Sequence, residues 1–373
     1  MQYYMPVKVY EEPGCVRGHK EVFEAAGEKA LLVTGRHSAR ANGSLEDVTS
    51  VLDEAGIAYV VYAEVEENPS IETVMKARDY GIAEGADFVV GIGGGSPMDA
   101  AKVIAVMMAH PGEGADYLYD SEKAREDADP LAGGTAVRLP LILIPTTCGT
   151  GSEVTGVSVL TIHKKKTKSS LPHKVFADVA LIDGKYLAFA SPSVIRNTAV
   201  DALGHLWESW CNSGATPYSR MCAEAGLKAW SGIKNVLLTL DEKPLTEEEG
   251  LHLMRTAALA GMAVAQTGTS IPHALSYGVT YDLHMPHGMA VGMFETGYLM
   301  EMPKEERQTV LQFAGFCDIA EWKEFYAIVC GELVIPEDVL KRAIEMAASS
   351  PARMAKAPFP CDEEVLRRIV YGE

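Results

Sequence analysis

The sequence has few cysteines and no long apolar run. Its seven cysteines, an odd number, are widely scattered and no two form a C-x-x-C pair, which is typical of a protein in a reducing compartment. We expect them to be reduced and buried as small apolar side chains. The longest apolar stretches, such as residues 103–109, are far shorter than the roughly 20 residues that cross a bilayer. Because the N-terminus also lacks a signal-peptide pattern, the sequence predicts a cytoplasmic protein.

Positive charge is scarce as well. The chain carries 33 Lys and Arg against 51 Asp and Glu, a net charge of −18, so its electrostatic field repels phosphate backbones and anionic lipid surfaces. We therefore expect neither nucleic acid nor membrane as a partner. The 373 residues, 47% apolar and 23% charged, are ordinary for a globular protein of two or three domains.

The first half of the chain alternates short apolar runs with segments of helical periodicity. The apolar runs are continuous rather than alternating with polar residues, which is typical of strands buried on both faces of a mostly parallel sheet. We predict an α/β, Rossmann-like domain over residues 1–188. Its predicted strands are 29–34, 58–62, 87–92, 139–145 and 179–183, and its predicted helices are 44–55, 70–84 and 97–110.

The second half lacks strand patterns. Long stretches rich in Ala, Leu, Met and Glu follow residue 191, and they predict an all-helical domain over residues 189–373. The predicted helices are 192–211, 215–240, 246–268, 289–301, 304–316, 320–329, 336–349 and 362–370.

Three successive glycines, Gly93 to Gly95, follow the predicted strand 87–92 and precede a helix opened by Ser96 and Pro97. Glycine lets backbone N–H groups approach a ligand closely, and the helix N-terminus directs its positive dipole at the same point. The pattern predicts an anion site. The alternative is a tight turn between strand and helix that binds no ligand.

A second polar loop, residues 145–155, also follows a predicted strand. Hydroxyl groups at the carboxyl end of a strand are well placed to bind a phosphate, a ribose or an amide. The alternative is a turn whose hydroxyls satisfy their own backbone. The hydroxyls belong to Thr146, Thr147, Thr150 and Ser152.

Asp201 and His205 are four residues apart in a helical segment, which places a carboxylate and an imidazole on one helix face. His273, His284 and His287 follow within fifteen positions of one another. One oxygen and several nitrogen ligands suit Zn²⁺ or Fe²⁺. The alternative is a set of hydrogen-bonded core histidines. We expect residues 286–288 to form the tip of a loop.

Four motifs in this order resemble the iron-containing (group III) alcohol dehydrogenase family, and the N-terminal YYMPVKVY and TGRHSARANGSLEDV segments are most similar to its butanol-dehydrogenase-like branch. The motifs are GGGSPMDAAK at 93–102, PTTCGTGSEVT at 145–155, DALGH at 201–205, and His273 together with PHG at 286–288.

The resemblance implies a dinucleotide-binding α/β domain, a helical domain, and one divalent metal, Fe²⁺ or Zn²⁺, in the cleft between them. It implies hydride transfer between a small alcohol or aldehyde and a nicotinamide nucleotide, in a homodimer or larger homo-oligomer. The implied metal ligands are Asp201, His205, His273 and His287. The implied nucleotide contacts are Gly94, Gly95, Ser96 and Asp99 around the pyrophosphate, Thr146, Thr147, Thr150 and Thr155 nearer the nicotinamide, and Lys168 near its ribose.

The chain departs from the family pattern four residues after His273. Many members carry a histidine there, close to the nicotinamide, whereas this chain has Tyr277. A phenol can donate a hydrogen bond but titrates near pH 10, which suits a neutral-pH proton relay poorly. His284 is an alternative relay, and otherwise an ordinary loop histidine.

The segment after the first predicted strand bears on the choice of nucleotide. An acidic residue at such a strand end binds the ribose 2′-OH of NAD and repels a 2′-phosphate, but here no carboxylate occurs before Glu46. The resemblance suggests that Gly35, where NAD-using members tend to have Asp, and Ser38 make room for the phosphate, which Arg36 or Arg40 could also bind. We therefore expect NADP(H) rather than NAD(H). The alternative is that the glycine only caps a turn and the arginines face solvent.

Other functions remain open at this point. A polyol (glycerol-type) dehydrogenase and a dehydroquinate synthase-like lyase share the implied fold. A phosphorylated substrate would need basic residues in the cleft, and segments 201–211 and 270–290 offer almost none. A non-catalytic nucleotide-binding sensor is the alternative outside enzymes, although all four implied metal positions are filled.

Overall fold

The computed structural model describes residues 3–131, 133–165, 167–331 and 333–372. Within them the first half contains ten strands. They are β1 Lys8–Glu11, β2 Lys29–Gly35, β3 Ala58–Val65, β4 Phe88–Gly93, β5 Ala128–Asp129, β6 Thr135–Ala136, β7 Leu141–Pro145, β8 Val159–Ile162, β9 Thr167–Ser170 and β10 Val179–Ile182.

Six of these strands form one parallel sheet in the order β1-β10-β7-β4-β2-β3. Its central strands β4 and β7 are buried at every position, because helices cover both faces and leave no side for polar residues. Strands β8 and β9 form a separate antiparallel hairpin. The predicted α/β fold with a mostly parallel sheet is confirmed.

Helices surround this sheet and make up the second half of the chain. The helices of the first half are α1 Cys15–Gly18, α2 Lys20–Glu24, α3 Ser38–Ala41, α4 Ser44–Ala55, α5 Ile71–Ala83, α6 Gly95–Ala109 and α7 Ser121–Glu126. Those of the second half are α8 Pro192–Cys211, α9 Pro217–Ile233, α10 Val236–Thr239, α11 Glu247–Thr267, α12 Ile271–Leu283, α13 His287–Glu301, α14 Lys304–Phe313, α15 Ile319–Cys330, α16 Glu337–Ala348, α17 Pro351–Met354 and α18 Glu363–Tyr371.

The largely helical character of the second half is confirmed. The sheet ends at Ile182 and α8 begins at Pro192, and the domain boundary at 188/189 stays a prediction. No helix in the described part of the chain is long and apolar enough to cross a membrane.

The helix pattern of the second half was wrong at four places, one of which is the short helix α17, which was not predicted. The segment 215–240 contains two helices, α9 and α10. Helix α12 was missed because it is buried on nearly all sides, so it shows no alternation of apolar and polar faces. The expected loop tip at 286–288 is instead the start of α13, where Pro286 precedes the helix and the Asn197 side chain accepts a hydrogen bond from the Met289 backbone N–H at 2.9 Å.

The expectation of buried cysteines holds only in part. Four of them are buried, Cys317 is exposed, and Cys330 and Cys361 are half-buried. Cys317 lies between helices α14 and α15, where the chain turns at the surface, so its sulfur has no core to enter.

The two halves of the chain meet where helix α11 packs against the second polar loop. A Cβ built on Gly261 would lie 2.5 Å from the Gly151 carbonyl oxygen, and one on Gly151 would lie 2.6 Å from the Ala257 carbonyl oxygen. Gly151 also has a φ of +56°, in the left-handed region that favours glycine. These two glycines let backbone meet backbone, which holds the loop against the helical half.

We expect Gly261→Val to lower the free energy of unfolding by about 1–3 kcal/mol, because the added side chain must displace the loop backbone. The midpoint of urea unfolding, measured beside the native chain, checks this. Gly112→Val is the control, since a Cβ at Gly112 meets nothing within 4 Å. Equal losses in the two variants would contradict the close approach.

Candidate metal and nucleotide site

The carboxyl ends of three neighbouring strands bring the predicted loops to one edge of the sheet. Strand β4 lies between β2 and β7, with Thr34 beside Ile92 and Gly93 beside Pro145. The loops that follow β2, β4 and β7 therefore start side by side. This edge is where open α/β sheets bind ligands.

Packing between the two loops requires the glycines at residues 93–95, whether or not they also contact a ligand. Gly93 has a φ of +147°, and a Cβ on Gly95 would lie 2.7 Å from the Thr150 methyl carbon. A Cβ on Gly94 would lie 3.2 Å from the Thr147 hydroxyl oxygen, so the first loop packs tightly on the second. Helix α6 begins at Gly95 without a side-chain cap, which leaves its first N–H groups able to bind an anion.

Asp99, predicted near the pyrophosphate, has partners inside the protein. Its carboxylate accepts hydrogen bonds from the Ser152 hydroxyl at 2.6 Å and the Val159 backbone N–H at 2.9 Å. Burial raises the pKa of Asp99 and lowers that of the buried Lys102 to about 8. Lys102, which the sequence analysis missed, donates to Ser152 Oγ at 2.8 Å and to the Val157 carbonyl at 2.9 Å. The network joins α6 to the second loop, and the role of Asp99 at a pyrophosphate stays a prediction.

The four threonines of the second loop differ in their surroundings. Thr147 and Thr150 lie against the glycines of the first loop and are half-buried, whereas Thr146 and Thr155 are buried. Thr155 Oγ1 accepts a hydrogen bond from Lys102 Nζ at 3.3 Å. The half-buried pair is thus the more accessible to a nucleotide.

Asn68 joins two predicted nucleotide contacts. Its backbone N–H donates to Ser96 Oγ at 3.0 Å, and its side-chain oxygen accepts from Lys168 Nζ at 2.7 Å. Asn68 has a φ of +58°, a conformation that asparagine adopts more readily than most residues. It lies outside the motifs that the sequence analysis singled out, and it places Lys168 beside the first loop.

Gly35 is the last residue of β2, and the space around it is open. A Cβ there would lie 3.6 Å from the Val65 carbonyl oxygen and 3.9 Å from Ser38 Oγ, which are ordinary contacts. Ser38, Arg36 and Arg40 are exposed. A larger side chain at position 35 therefore has room.

Helices α8 and α12 bring together Asp201, His205 and His273. One ligand atom from each lies within 4.8 Å of the others, and all three side chains are buried. Asp201 Oδ1 is 3.5 Å from His273 Nε2. The imidazoles of His205 and His273 are stacked, with centroids 4.4 Å apart. We call these three residues the Asp-His-His group.

His287 lies at the open side of this group. Its Nε2 is 3.8 Å from Asp201 Oδ1, and 36% of its side chain is exposed. Gly288 makes the approach possible, because a Cβ there would lie 1.9 Å from the Asn197 carbonyl oxygen of α8. The start of α13 can therefore bring His287 to Asp201.

The electrostatics of the group suit a divalent cation. Burial would raise the pKa of Asp201, but the His205, His273 and His287 imidazoles outweigh burial and hold it below its ordinary value. Burial lowers the pKa of His205, and it lowers that of His287 to about 4, which favours the neutral imidazoles that bind metals. Among the described residues, Asp201 Oδ1, His205 Nδ1 and His273 Nε2 are buried without a hydrogen-bond partner. A cation between them would satisfy oxygen and nitrogen donors that suit Fe²⁺ or Zn²⁺.

Glu208 is a functional candidate that the sequence analysis missed. It is fully buried and accepts short hydrogen bonds from His273 Nδ1 and the Ser270 backbone N–H. Burial would lower the pKa of His273, but the Glu208 and Asp201 carboxylates raise it well above its ordinary value. A carboxylate on the far nitrogen of a ligating histidine orients the ring. The spacing 201, 205 and 208 on one helix face was the signal that could have found Glu208.

The two predicted proton-path residues are placed differently. The Tyr277 ring lies 6.0 Å from the His287 ring and nearly parallel to it. His284 is exposed at the end of α12, with a φ of +51°. Within the described ranges, no hydrogen bond or ring contact joins His284 to the Asp-His-His group.

The second polar loop also contacts the helix that carries Asp201 and His205. Cys148 Sγ is 3.2 Å from Thr198 Oγ1, and a Cβ on Gly149 would lie 2.9 Å from Thr198. Thr198 precedes Asp201 by one turn of α8. The Asp-His-His group therefore lies next to the loops at the edge of the sheet.

Comparisons with known proteins agree with this arrangement. A family model described as iron-containing alcohol dehydrogenase matches residues 6–184, and one for the C-terminal part of the same family matches residues 195–314. Long-chain-alcohol dehydrogenase 1 of Geobacillus thermodenitrificans is 30% identical over 368 residues, which cover 92% of this chain and 89% of that protein.

Two further relatives share most of their length with this chain. The NADPH-dependent butanol dehydrogenase of Clostridium saccharobutylicum is 30% identical over 79% of this chain and 72% of its own. The crystal structure of an iron-containing alcohol dehydrogenase from Thermotoga maritima is 33% identical with a TM-score of 0.87, and the match covers 99% of this chain and 98% of that one.

We expect Glu208→Gln to weaken binding of Fe²⁺ or Zn²⁺ about 10- to 100-fold, because His273 loses the carboxylate that orients it. Competition against a coloured chelator measures the affinity. Glu224→Gln is the control, since Glu224 forms a surface ion pair with Lys228 on α9. An affinity within twofold of native for Glu208→Gln would show that this carboxylate does not support the metal.

Proposed function

Because this chain belongs to the iron-containing alcohol dehydrogenase family, we propose that it interconverts small aldehydes and alcohols with NADP(H) as its nucleotide. Membership makes it an alcohol dehydrogenase, an oxidoreductase that acts on CH–OH groups with NAD(P). The lyase and the non-catalytic sensor are therefore not kept as alternatives. A homo-oligomer and a cytoplasmic location stay predictions.

The observation that carries the proposal is the buried Asp-His-His group beside the glycine loops. Asp201, His205 and His273, joined by His287, would hold one divalent metal, Fe²⁺ or Zn²⁺. A bound metal of this kind supplies Lewis acidity, which makes an alcohol hydroxyl more acidic and an aldehyde carbonyl more electrophilic. Glu208 keeps the His273 ring in place.

The protein contributes position and exclusion of water to the hydride transfer. Three members of the ligand set are buried, while His287 is more than one-third exposed, so a substrate would enter on the His287 side. The loops at residues 93–96 and 146–150 would hold the nucleotide next to it. The balanced reaction is aldehyde plus NADPH plus H⁺ giving alcohol plus NADP⁺.

The preference for NADP(H) rests on the end of β2. Gly35 carries no charge that would repel a 2′-phosphate, and Ser38 Oγ lies 3.9 Å from the position that a Cβ on Gly35 would take, where its hydroxyl could donate a hydrogen bond to the phosphate. The exposed Arg36 and Arg40 supply positive charge on the same short segment. The butanol dehydrogenase relative that carries NADPH in its name supports this choice.

We expect the native chain to use NADPH with a higher kcat/KM than NADH, by about 10- to 100-fold for one charge-assisted contact. Gly35→Asp should reverse or abolish this preference, because the carboxylate has room and repels the phosphate. Steady-state rates of butanal reduction with each nucleotide measure it. Gly112→Asp is the control, since Gly112 follows α6 and a Cβ there meets nothing within 4 Å. A native preference for NADH would refute the assignment.

We further propose that a proton reaches solvent through the side chains at the outer face of the metal group. Tyr277 adjoins His287, and His284 is exposed three residues before it. The hydroxyl of Tyr277 can both donate and accept a hydrogen bond.

We expect His284→Ala to lower the rate of alcohol oxidation most below the pH optimum, where solvent base is scarce, and Tyr277→Phe to lower it less. The pH profile of kcat for both variants measures the difference. An unchanged profile for His284→Ala would remove this histidine from the proton path.

A further inference from the structure

A cavity of about 450 Å³ opens beside the Asp-His-His group, between the β8–β9 hairpin and helices α12, α16 and α17. Its lining includes two cations, four serines and one tyrosine beside Ala274 and Met346, and none of the lining residues is Asp or Glu. In a chain with a net charge of −18, such a wall is unusual. The residues that matter here are Lys168, Tyr277, Ser349, Ser350 and Arg353.

Arg353 on α17 differs from Arg342 on α16 in its partners. Its guanidinium lies 4.3 Å from the centroid of the Tyr277 ring, and no carboxylate pairs with it in the described ranges. Arg342, one helix away, also lies over a tyrosine of α12, Tyr281, but it forms an ion pair with Asp282 at 2.6 Å. Arg353 is half-buried and lines the cavity. Because no carboxylate in the described ranges pairs with it, its planar row of N–H donors can bind an oxyanion.

The cavity adjoins the metal group through helix α12. Ala274 lines it and directly follows His273, and Tyr277 lines it one turn later. The same Tyr277 ring lies 6.0 Å from the His287 ring. Tyr277 therefore spans the gap between a proposed metal ligand and Arg353, so a small molecule can contact both.

We propose that this cavity binds the acidic end of the substrate, which makes the preferred substrates short aldehydes or alcohols that carry a carboxylate, sulfonate or phosphate group. The inference rests on the proposed function and narrows its substrate class. Arg353 pairs with the oxyanion, and the serine hydroxyls and Lys168 complete the surroundings. The hydride passes from the reduced nicotinamide to the carbonyl carbon, the carbonyl oxygen takes a proton from solvent, and the acidic group is unchanged.

The basic residues that an acidic substrate needs come from outside the two segments that the sequence analysis considered. Segments 201–211 and 270–290 have almost no basic residues, but the cations come from elsewhere in the chain. Lys168 lies on β9, and Arg353 lies on α17. Both lie far from the metal ligands in sequence.

A phosphate of the nucleotide is the other oxyanion that could lie near these cations. Lys168 is joined through Asn68 to Ser96 on the first glycine loop. Arg353 instead projects from the helical half over Tyr277, on the side of the metal group. The two sources predict different kinetics. If Arg353 binds a nucleotide phosphate, its loss raises KM for NADPH, whereas if it binds the acidic group of the substrate, its loss raises KM for the acidic aldehyde.

The test compares matched aldehydes in the NADPH-linked reaction: 4-oxobutanoate against butanal, and 5-oxopentanoate against pentanal. In each pair, a carboxylate of the acidic aldehyde replaces the terminal methyl group of the neutral one. We expect the native chain to favour the acidic member by about tenfold or more in kcat/KM. Arg353→Gln should lower kcat/KM for the acids about 10- to 100-fold, mainly through KM, and leave the neutral aldehydes within twofold. Arg353→Lys should recover part of the loss, and Arg342→Gln should change neither.

Three results would overturn the inference: a native preference for the neutral aldehydes, equal losses for both members of a pair, or a raised KM for NADPH in Arg353→Gln. The last would assign Arg353 to the nucleotide. If the native chain reduced no aldehyde, the proposed function would fail separately. In that case, calorimetry with butanedioate still tests whether the cavity binds acids. Binding to the native chain that is lost in Arg353→Gln would support the acid site, and no binding to the native chain would refute it.

Discussion

The structure of the candidate metal site depends on the free-energy cost of burying ionisable side chains together. Asp201, His205, Glu208 and His273 are all buried in the helical half, and isolated buried charges are expensive. The hydrogen bonds that Glu208 accepts from His273 and the Ser270 backbone offset part of this free-energy cost. The remaining unpartnered atoms, Asp201 Oδ1 and His273 Nε2 among them, need a cation. Metal binding and the stability of this core are therefore linked.

Glycine determines how closely the parts of the site approach one another. Gly288 lets the start of α13 reach α8, Gly95 lets the first loop reach Thr150, and Gly261 lets α11 reach Gly151. At each point a Cβ would lie nearer to the facing atom than side chains allow. The glycines at residues 93–95 thus serve the packing between the two loops whether or not phosphate is bound, and a ligand role for them needs the separate argument from the helix N-terminus.

Local charge opposes the charge of the whole chain at the cavity beside α12. The chain has a net charge of −18, yet Lys168 and Arg353 both line this cavity and none of its lining residues is acidic. Two cations with no acidic residue in the lining favour a small anion there, although the net charge of the chain repels anions. The acidic substrate that we propose would therefore be selected by the cavity and not by the charge of the whole surface.

The sequence by itself determined the features that depend on local spacing. Continuous apolar runs predicted the parallel sheet, the pair Asp201 and His205 could be placed on one helix face, and the glycine loops could be placed at strand ends. Glu208 was within reach by the same rule, because it continues that face by one turn.

Only the tertiary structure decided which distant segments meet. Helix α12 has no polar face from which to recognise it, because neighbours cover it on nearly all sides. Nothing in the local pattern around Arg353 or Asn68 indicates that one lies over Tyr277 and the other joins Ser96 to Lys168. Periodicity reports how a segment faces its surroundings, whereas the identity of those surroundings follows from the packing of the whole chain.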